Sequence, residues 1–417
     1  MKTRFLFLLL LLGTKLYSQD TLKMMAYNLY RFPVMPPANR ETILKDILDT
    51  YHPDLFMVCE LVNEDGANRI LYTSLNNNGA TQLYMQAPFV PTQSDTADPL
   101  QQTVFYNSQK LLLINQQTYP TTVRDINHYT FLLNTDDALT DSIFIDAFVT
   151  HLKSSEGPAN RELRLEMVDT FLNHLASVPH NHYVLFAGDF NFYSAYNETA
   201  YQAIVNPNNP IVMEDPIHAP GKWSDNDSFK TIHTQATRLS SAGFGTGGAS
   251  GGLDDRFDYI MMSENLAQAG KLQYINGSYK AYGNNGNCFN NRVDAYDCDG
   301  EYSLALRQNL YNMSDHLPVV MQLKTSQHFV GISNINTPAS IQLLNGNIIS
   351  DRLEININEQ SVSIGEFRLY NNLGQTIQVN ISQQGSRISF DCSTLHPGIY
   401  YLKYRGKQQE VFKVIKK

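Results

Sequence analysis

Eight polar residues stand where apolar segments end: Asn28, Glu60, His151, Asp189, Asn191, Asp258, Asp315 and His316. The sharpest case is Val184-Leu185-Phe186-Ala187-Gly188-Asp189-Phe190-Asn191, an apolar run that delivers a carboxylate and an amide to its end. Asp189 there can orient or deprotonate a water, and Asn191 can hold a phosphoryl oxygen with its amide. Gly188 permits a sharp turn and a ligand's close approach to the backbone. By itself the same Asp also suits a helix cap or a turn. Ser314-Asp315-His316-Leu317-Pro318 adds a metal or water contact and a titratable imidazole. Asp258, in Asp254-Asp255-Arg256-Phe257-Asp258-Tyr259-Ile260, lies in a strand-like run where an unpaired charge is costly, and a histidine is its natural partner. Glu60 closes another apolar run and suits a hard, oxygen-ligated cation such as Mg²⁺. His151 and Asn28 end two more. Each position alone is explained by solvation at a strand end; six such ends in one unit point to shared chemistry.

The elements between them must bring those ends together. Alternation and apolar spacing predict strands over 22–29, 55–59, 142–152, 183–187, 257–262 and 318–323, and a strand pair over 102–106 and 110–115. Helices are predicted over 38–51, with Ile43, Leu44, Ile47 and Leu48 at helical spacing, and over 159–175, with Leu163, Met167, Val168, Phe171, Leu172 and Leu175 on one face. Sites in α/β folds gather at the carboxyl ends of strands. Beyond residue 324 the pattern becomes short alternating segments split by turn residues such as Asn345-Gly346-Asn347, Gln384-Gly385 and Pro397-Gly398, which predicts a small all-β, Ig-like sandwich. A chain of 417 residues is expected to hold more than one unit. The expected division is a signal peptide over 1–18, a catalytic unit over 19–325, a linker over 326–335 and the sandwich over 336–417.

The ordered set Asn28, Glu60, His151-Leu152, Gly188-Asp189-Phe190-Asn191, Asp258-Tyr259-Ile260 and Ser314-Asp315-His316-Leu317-Pro318 resembles the endonuclease/exonuclease/phosphatase superfamily over about three hundred residues. The resemblance implies a four-layer α/β/β/α sandwich and a divalent-metal-dependent phosphoesterase. It implies that Glu60 binds Mg²⁺ or Mn²⁺ with Asn28 and Asp315 nearby, and it leaves room for Ca²⁺ as a structural ion. Asp189 would position the attacking water, Asn191 would contact the phosphate, Asp258 would orient His316, and His151 would hydrogen-bond a non-bridging oxygen. His316 would act as general base or stabilise the developing charge. Nucleic acid is the leading substrate expectation; a sphingomyelinase-like or sugar-phosphate esterase and a non-enzymatic surface-binding protein are the alternatives. The tail, from Phe367-Arg368-Leu369-Tyr370-Asn371 through Gly398-Ile399-Tyr400-Tyr401-Leu402 to the basic end at 413–417, resembles a type A sorting domain of the Bacteroidetes type IX secretion system. That implies passage across the outer membrane, handling by the type IX machinery, and a secreted or surface-attached protein; an Ig-like module that binds substrate or matrix is the alternative.

Bulk properties fit an exported, monomeric chain. Lys2 and Arg4 precede an apolar run over 5–12, too short to cross a bilayer, so it reads as a signal peptide and no membrane span is expected in the mature chain. The net charge of −9 supplies no global attraction to nucleic acid or anionic membranes. Cys288 and Cys298 are close enough in a Gly/Asn-rich loop to form a disulfide, whereas Cys59 reads as a buried thiol and Cys392 has no evident partner. No CxxC spacing suggests zinc. The glycine-rich stretch 243–252 lacks the ending of a P-loop and reads as a mobile loop ahead of Asp254 and Asp255. His233 is expected in the cleft or on the surface, Arg161 and Arg164 on a solvated helix face or at the phosphate, and Trp223 in the core or the substrate loop. The segment 282–302 is the candidate aromatic loop for membrane contact.

Overall fold

The computed structural model describes residues 20–77, 83–94, 99–138, 140–330, 341–344, 348–357, 363–371, 374–405 and 409–417. The expected signal peptide, 1–18, lies outside the described residues. The strands of the first unit are β1 (Asp20–Phe32), β2 (Leu55–Leu61), β3 (Tyr84–Gln86), β4 (Gln101–Asn107), β5 (Leu111–Tyr119), β6 (Ile126–Leu133), β7 (Phe144–His151), β8 (Tyr183–Asp189), β9 (Met213–Glu214), β10 (Asp258–Ser263), β11 (Leu272–Tyr274), β12 (Lys280–Ala281) and β13 (Val319–Thr325). Its helices are α1 (Arg40–Tyr51), α2 (Glu64–Arg69), α3 (Pro158–Leu175), α4 (Thr199–Ile204) and α5 (Leu304–Met313).

Two sheets form. One runs β11-β13-β1-β2-β4-β3, with β12 on β13; the other runs β5-β6-β7-β8-β10-β9. Side chains alternate along a strand, so each strand divides its apolar residues between two layers. In β1, Leu22, Met24 and Ala26 join the core between the sheets, while Met25, Tyr27 and Leu29 face α1 and α5. In β8, Leu185 and Ala187 enter the inter-sheet core and Val184 and Phe186 face α3. Both sheets are therefore buried on both faces, which yields the four layers α/β/β/α.

The helices close the outer layers for local reasons. α1 buries Leu44, Ile47 and Leu48 and ends where His52 adopts φ 55°. α3 starts with Pro158 in its first turn, where a missing N–H costs nothing, and buries Met167, Val168, Phe171 and Leu175. α5 is capped by Ser303, whose hydroxyl accepts the Leu306 N–H.

Two expectations are corrected, and one left open is settled. β4 and β5 do not pair: β4 lies between β2 and β3, and β5 joins β6 in the other sheet. The turn between them is a corner, pinned by the buried Asp54 carboxylate, which accepts from Asn107 Nδ2 at 2.9 Å and from Lys110 Nζ at 2.8 Å. The start of the expected linker belongs to the first unit: Gln327 donates to Asp141 O at 2.6 Å, Phe329 N–H donates to Asp20 Oδ2 at 2.8 Å, and Val330 N–H donates to Asn134 O at 3.0 Å. Residues 331–335 lie outside the described residues. Trp223 is settled as a core residue, fully buried with Nε1–H donated to Ala219 O at 2.8 Å.

The tail is an all-β sandwich. Ile341–Leu343, Arg352–Ile357, Arg387–Asp391 and Ile381–Gln384 form one sheet; Ile348–Ile349, Gln409–Lys416, Gly398–Arg405, Phe367–Asn371 and Thr376–Ile377 form the second. Leu353, Ile355, Ile388 and Phe390 of the first meet Leu369, Leu402, Tyr404 and Val414 of the second in a core of their own. Cys288 and Cys298 form the expected disulfide, and Cys59 and Cys392 are buried free thiols.

Candidate active site

β1 and β2 run parallel, as do β7 and β8, so Asn28, Glu60, His151 and Asp189 all come from carboxyl ends. β10 runs antiparallel to β8, and its first residue, Asp258, lies opposite Asp189. β13 runs antiparallel to β1, which places Asp315 and His316, just before its start, beside Asn28. Both sheets thus send strand ends to one edge.

Gly188 is required there by the backbone. Its φ is +136°, and a Cβ would stand 1.8 Å from Thr150 O of the adjacent strand. The demand comes from strand packing. Two functional residues take the left-handed conformation themselves, Glu60 at φ 56° and Asn191 at φ 53°, as do Tyr30 at 46° and Arg31 at 49°. Such strain persists where surrounding bonds over-determine it.

Those bonds form one network. Asn28 Nδ2 donates to Glu60 Oε1 and to Asp189 Oδ2, both at 3.0 Å, and stands 3.3 Å from His316 Nε2. The Tyr30 N–H holds Asn28 Oδ1 at 3.0 Å, and the Arg31 N–H holds Glu60 Oε2 at 3.1 Å. Asp189 Oδ1 accepts the Asn191 backbone N–H at 3.0 Å and its side-chain amide at 2.8 Å. His151 bridges two acids, with Nδ1 3.8 Å from Glu60 and Nε2 3.5 Å from Asp189. His316 Nδ1 meets Asp258 Oδ2 at 2.8 Å, and its Nε2 is 3.6 Å from Asp189. Ser314 Oγ donates to Asn28 O at 2.7 Å and accepts the His316 N–H at 3.1 Å, fixing the loop that carries the histidine. Asp315 Oδ2 accepts the Ala249 N–H at 2.6 Å, which ties the glycine-rich loop to the site.

Burial and mutual charge set the protonation pattern. Burial raises the Glu60 and Asp189 carboxyls above the usual range; Asp315 adds to this at Glu60, and Asp258 adds to it at Asp189. Burial opposes a charged His316, but Asp258 and Asp189 outweigh it and hold the imidazole well above its ordinary pKa. Burial drives His151 well below, helped by the Arg124 charge. Glu60, His151 and Asp189 offer ligand atoms within 4.8 Å of one another. His151 Nδ1 is buried without a hydrogen-bond partner. Two carboxylates and an orphaned imidazole nitrogen, in a pocket that also holds Asp258 and Asp315, suit a divalent cation.

Several site residues come from irregular segments. The Gln235 side-chain amide meets His316 Nε2. Arg124 Nη1 donates to Leu152 O at 3.2 Å, beside His151. Neither sits in a periodic segment, and only the spatial closure of the loops exposes them. Arg164 is neither solvated nor at the phosphate: it is fully buried, pairs with Glu198 through Nε at 3.0 Å and Nη2 at 2.7 Å, and holds the carbonyls of Lys153 and Ser155 with Nη1. His233 is fully buried, with Nε2 2.9 Å from Trp223 O, and does not line the surface. Tyr282 packs on both Tyr51 and Tyr302, which buries Tyr282 and Tyr302 of the 282–302 segment, whereas Tyr296 in the same segment is exposed.

Residues 347–417 match a family model described as a secretion system C-terminal sorting domain. The tail is such a domain, and it points to export of a secreted or cell-surface protein. No helix of the described residues is long and apolar enough to cross a membrane. No curated protein sequence matches the chain. Among solved structures, the D. rerio TDP2 complex with single strand DNA product is 15% identical, with TM-score 0.46, covering 74% of this chain and 100% of that one. The human Nocturnin catalytic domain with bound sulfate anion is 14% identical, with TM-score 0.45 and coverage of 74% and 98%. An endonuclease/exonuclease/phosphatase family protein from Bacteroides thetaiotaomicron is 14% identical, with TM-score 0.44 and coverage of 74% and 97%.

Proposed function

We propose that the chain is an exported, divalent-metal-dependent phosphodiesterase, delivered by the type IX route through its tail, with nucleic acid as the leading substrate. One observation carries the reading: six strand ends from two sheets converge on a single hydrogen-bonded network of Asn28, Glu60, His151, Asp189, Asp258 and His316. A surface-binding protein has no need of three carboxylates, two histidines and an amide held together at one edge.

Each residue has a task that its geometry supports. Asp189, fixed through Oδ1 by Asn191, has Oδ2 turned toward Asn28, His151 and His316, where it can position a water and take its proton. His316, kept charged by Asp258, donates to a phosphoryl oxygen as negative charge builds there. His151, kept neutral by burial, can hold a second oxygen or ligate through Nδ1. Asn28 ties the two halves, with one amide nitrogen on both Glu60 and Asp189. Glu60, His151 and Asp189 would hold the cation, with Glu60 common to this set and to the one the sequence motifs imply. When bound, Mg²⁺ or Mn²⁺ supplies charge neutralisation at the phosphoryl group.

The test combines binding and turnover. Purified protein with Mg²⁺ or Mn²⁺ is assayed against plasmid DNA, RNA, sphingomyelin and a chromogenic phosphodiester, and its melting temperature is followed with cation and with chelator. Saturating cation should stabilise the fold by about 2–3 kcal/mol at one hundred times Kd. Chelator should remove both that gain and all hydrolysis. Undiminished hydrolysis in excess chelator would rule out the metal role.

A further inference from the structure

Five arginines lie fully buried among the described residues: Arg40, Arg164, Arg238, Arg256 and Arg307. A buried guanidinium needs a carboxylate or a set of carbonyls in place of its water. Four of the five have one. Arg164 pairs with Glu198, and Arg256 donates through both terminal nitrogens to Asp215 at 2.8 Å. Arg307 holds the carbonyls of Val293 and Ala295 at 2.8 and 2.7 Å, and Arg40 holds those of Leu29, Tyr30 and Met313. Arg238 is the exception. Its Nε–H goes to Tyr311 O at 3.0 Å, and neither Nη1 nor Nη2 has a partner.

These orphaned donors have company. Arg40 Nε and the Tyr27 hydroxyl are also buried without partners. One ring joins the two arginines: the Tyr30 centroid lies 5.3 Å from Arg238 Cζ and 5.7 Å from Arg40 Cζ. Burial raises the Tyr27 pKa, and the charges of Arg40 and Arg238 pull against it, so both reach that hydroxyl. The acid that both arginines feel is Asp315, whose Oδ2 holds the Ala249 N–H at 2.6 Å; among the described residues it bonds to neither. Two cations thus share one anion, and one positive charge in this cluster has no counterpart.

The chemistry of the four atoms selects a ligand. Three can only donate, and the hydroxyl can turn its hydrogen the same way. A water would need acceptors for two hydrogens of its own, whereas an anion takes donors alone. The surroundings set its size. The Phe244 centroid lies 3.6 Å from Arg238 Cζ and that of Tyr311 5.9 Å, so rings rather than polar groups face the guanidinium. A phosphate or carboxylate would bring oxygens that those rings cannot satisfy, while a halide brings none. We propose that Arg238, Arg40 and Tyr27 form a buried site for one halide ion, chloride or bromide, beneath the strand end that carries Asn28. Half-buried Phe244 covers it, held by Tyr30 Oη, which donates to Phe244 O at 2.8 Å, and is the way in. Bonds tie the site to the candidate active site: Tyr27 precedes Asn28, Arg40 holds the next two carbonyls, and the Thr237 N–H donates to Asp315 O at 3.0 Å. The halide site does not depend on the phosphoesterase reading.

The probes are sodium chloride and sodium bromide, with sodium gluconate at equal ionic strength as the control. Crystals of the whole chain soaked in bromide should show an anomalous peak within hydrogen-bonding distance of the Arg238 terminal nitrogens and the Tyr27 hydroxyl. In solution the melting temperature should rise with either halide, relative to gluconate, by about 2 °C for each tenfold increase above Kd. Arg238→Met and Tyr27→Phe should each flatten that dependence; Tyr27→Phe removes only the hydroxyl, so it carries the test if Arg238→Met does not fold. A crystal soaked in bromide without the peak overturns the site, and so does a halide response that survives both variants. A peak with equal melting in halide and gluconate means binding at crystal concentration only and overturns it as well. A peak and a halide-dependent melt without turnover of any phosphodiester would leave the halide site standing and count against the catalytic reading alone.

Discussion

His151 and His316 lie in one pocket and are driven to opposite protonation states, because one is isolated by burial and the other is gripped by acids. This division is what in-line hydrolysis needs: a charged donor for the phosphoryl oxygens and a neutral group free to ligate or accept. Asp258 makes the difference, at 2.8 Å from His316 Nδ1. His316→Ala, Asp189→Ala and Asp258→Asn should each lower turnover by about 10²–10⁴-fold with far-ultraviolet circular dichroism unchanged. Asp258 acts through His316, so the double variant Asp258→Asn/His316→Ala should be no slower than the worse single variant. Multiplicative losses in that double variant would show that Asp258 does not act through the histidine.

A second carboxylate–histidine assembly ties elements together away from the site. Asp146, on β7, accepts from His128 Nε2 on β6 and from His182 Nδ1 just before β8, both at 2.6 Å, and from Thr130 Oγ1 at 2.7 Å. Burial raises its pKa, but the hydrogen bonds from His128 and His182 more than offset this and bring it down to about 2. A depressed carboxyl stabilises the fold above the unfolded value, near 4, and the gain is lost as pH falls through the folded value. The contribution is about 2 kcal/mol, so the stability difference between wild type and Asp146→Asn should hold steady above pH 5 and close between about pH 4 and pH 2. Urea unfolding across that range reads it, and a difference that stays constant down to pH 2 would contradict the assignment. The same scale shows what a linear reading reaches. Strand alternation in β1 and β8 and the helical spacing in α1 and α3 are local, so the layers and the polar strand ends were legible. The parting of β4 from β5 was not, because a three-residue turn looks alike whether the next strand pairs or leaves for another sheet. Arg164 was misplaced because Glu198, which buries it, is 34 residues away. Gln235 and Arg124 were missed because they come from loops without period.

The molecule has two kinds of core, and they depend little on each other. Three clusters built from residues between Leu22 and Leu323 hold the first unit, and a fourth, from Ile341 to Val414, holds the sorting domain. Their apolar contact is a small cluster in which Ile415 meets Leu112, Leu132 and Ala138. Among the described residues, the network at Asp189 and His316 draws none from the tail. The segment Ser326–Val330 is a different matter, since Gln327 is buried and bonded to Thr135 and Asp141, and Phe329 packs on the inter-sheet core. The place of the cut therefore decides the outcome. Removing residues 331–417 should leave kcat/KM on a phosphodiester within twofold and lower the melting temperature by only a few degrees, the cost of uncovering Leu112 and Leu132. Removing residues 326–417 should cost more, because Thr135 and Asp141 lose buried partners and the inter-sheet core loses Phe329. Thermal melts of the two truncations beside the full chain test this directly. Equal melting temperatures for both would place Ser326–Val330 outside the first unit, and lost turnover in the shorter deletion would mean that the tail supports the site.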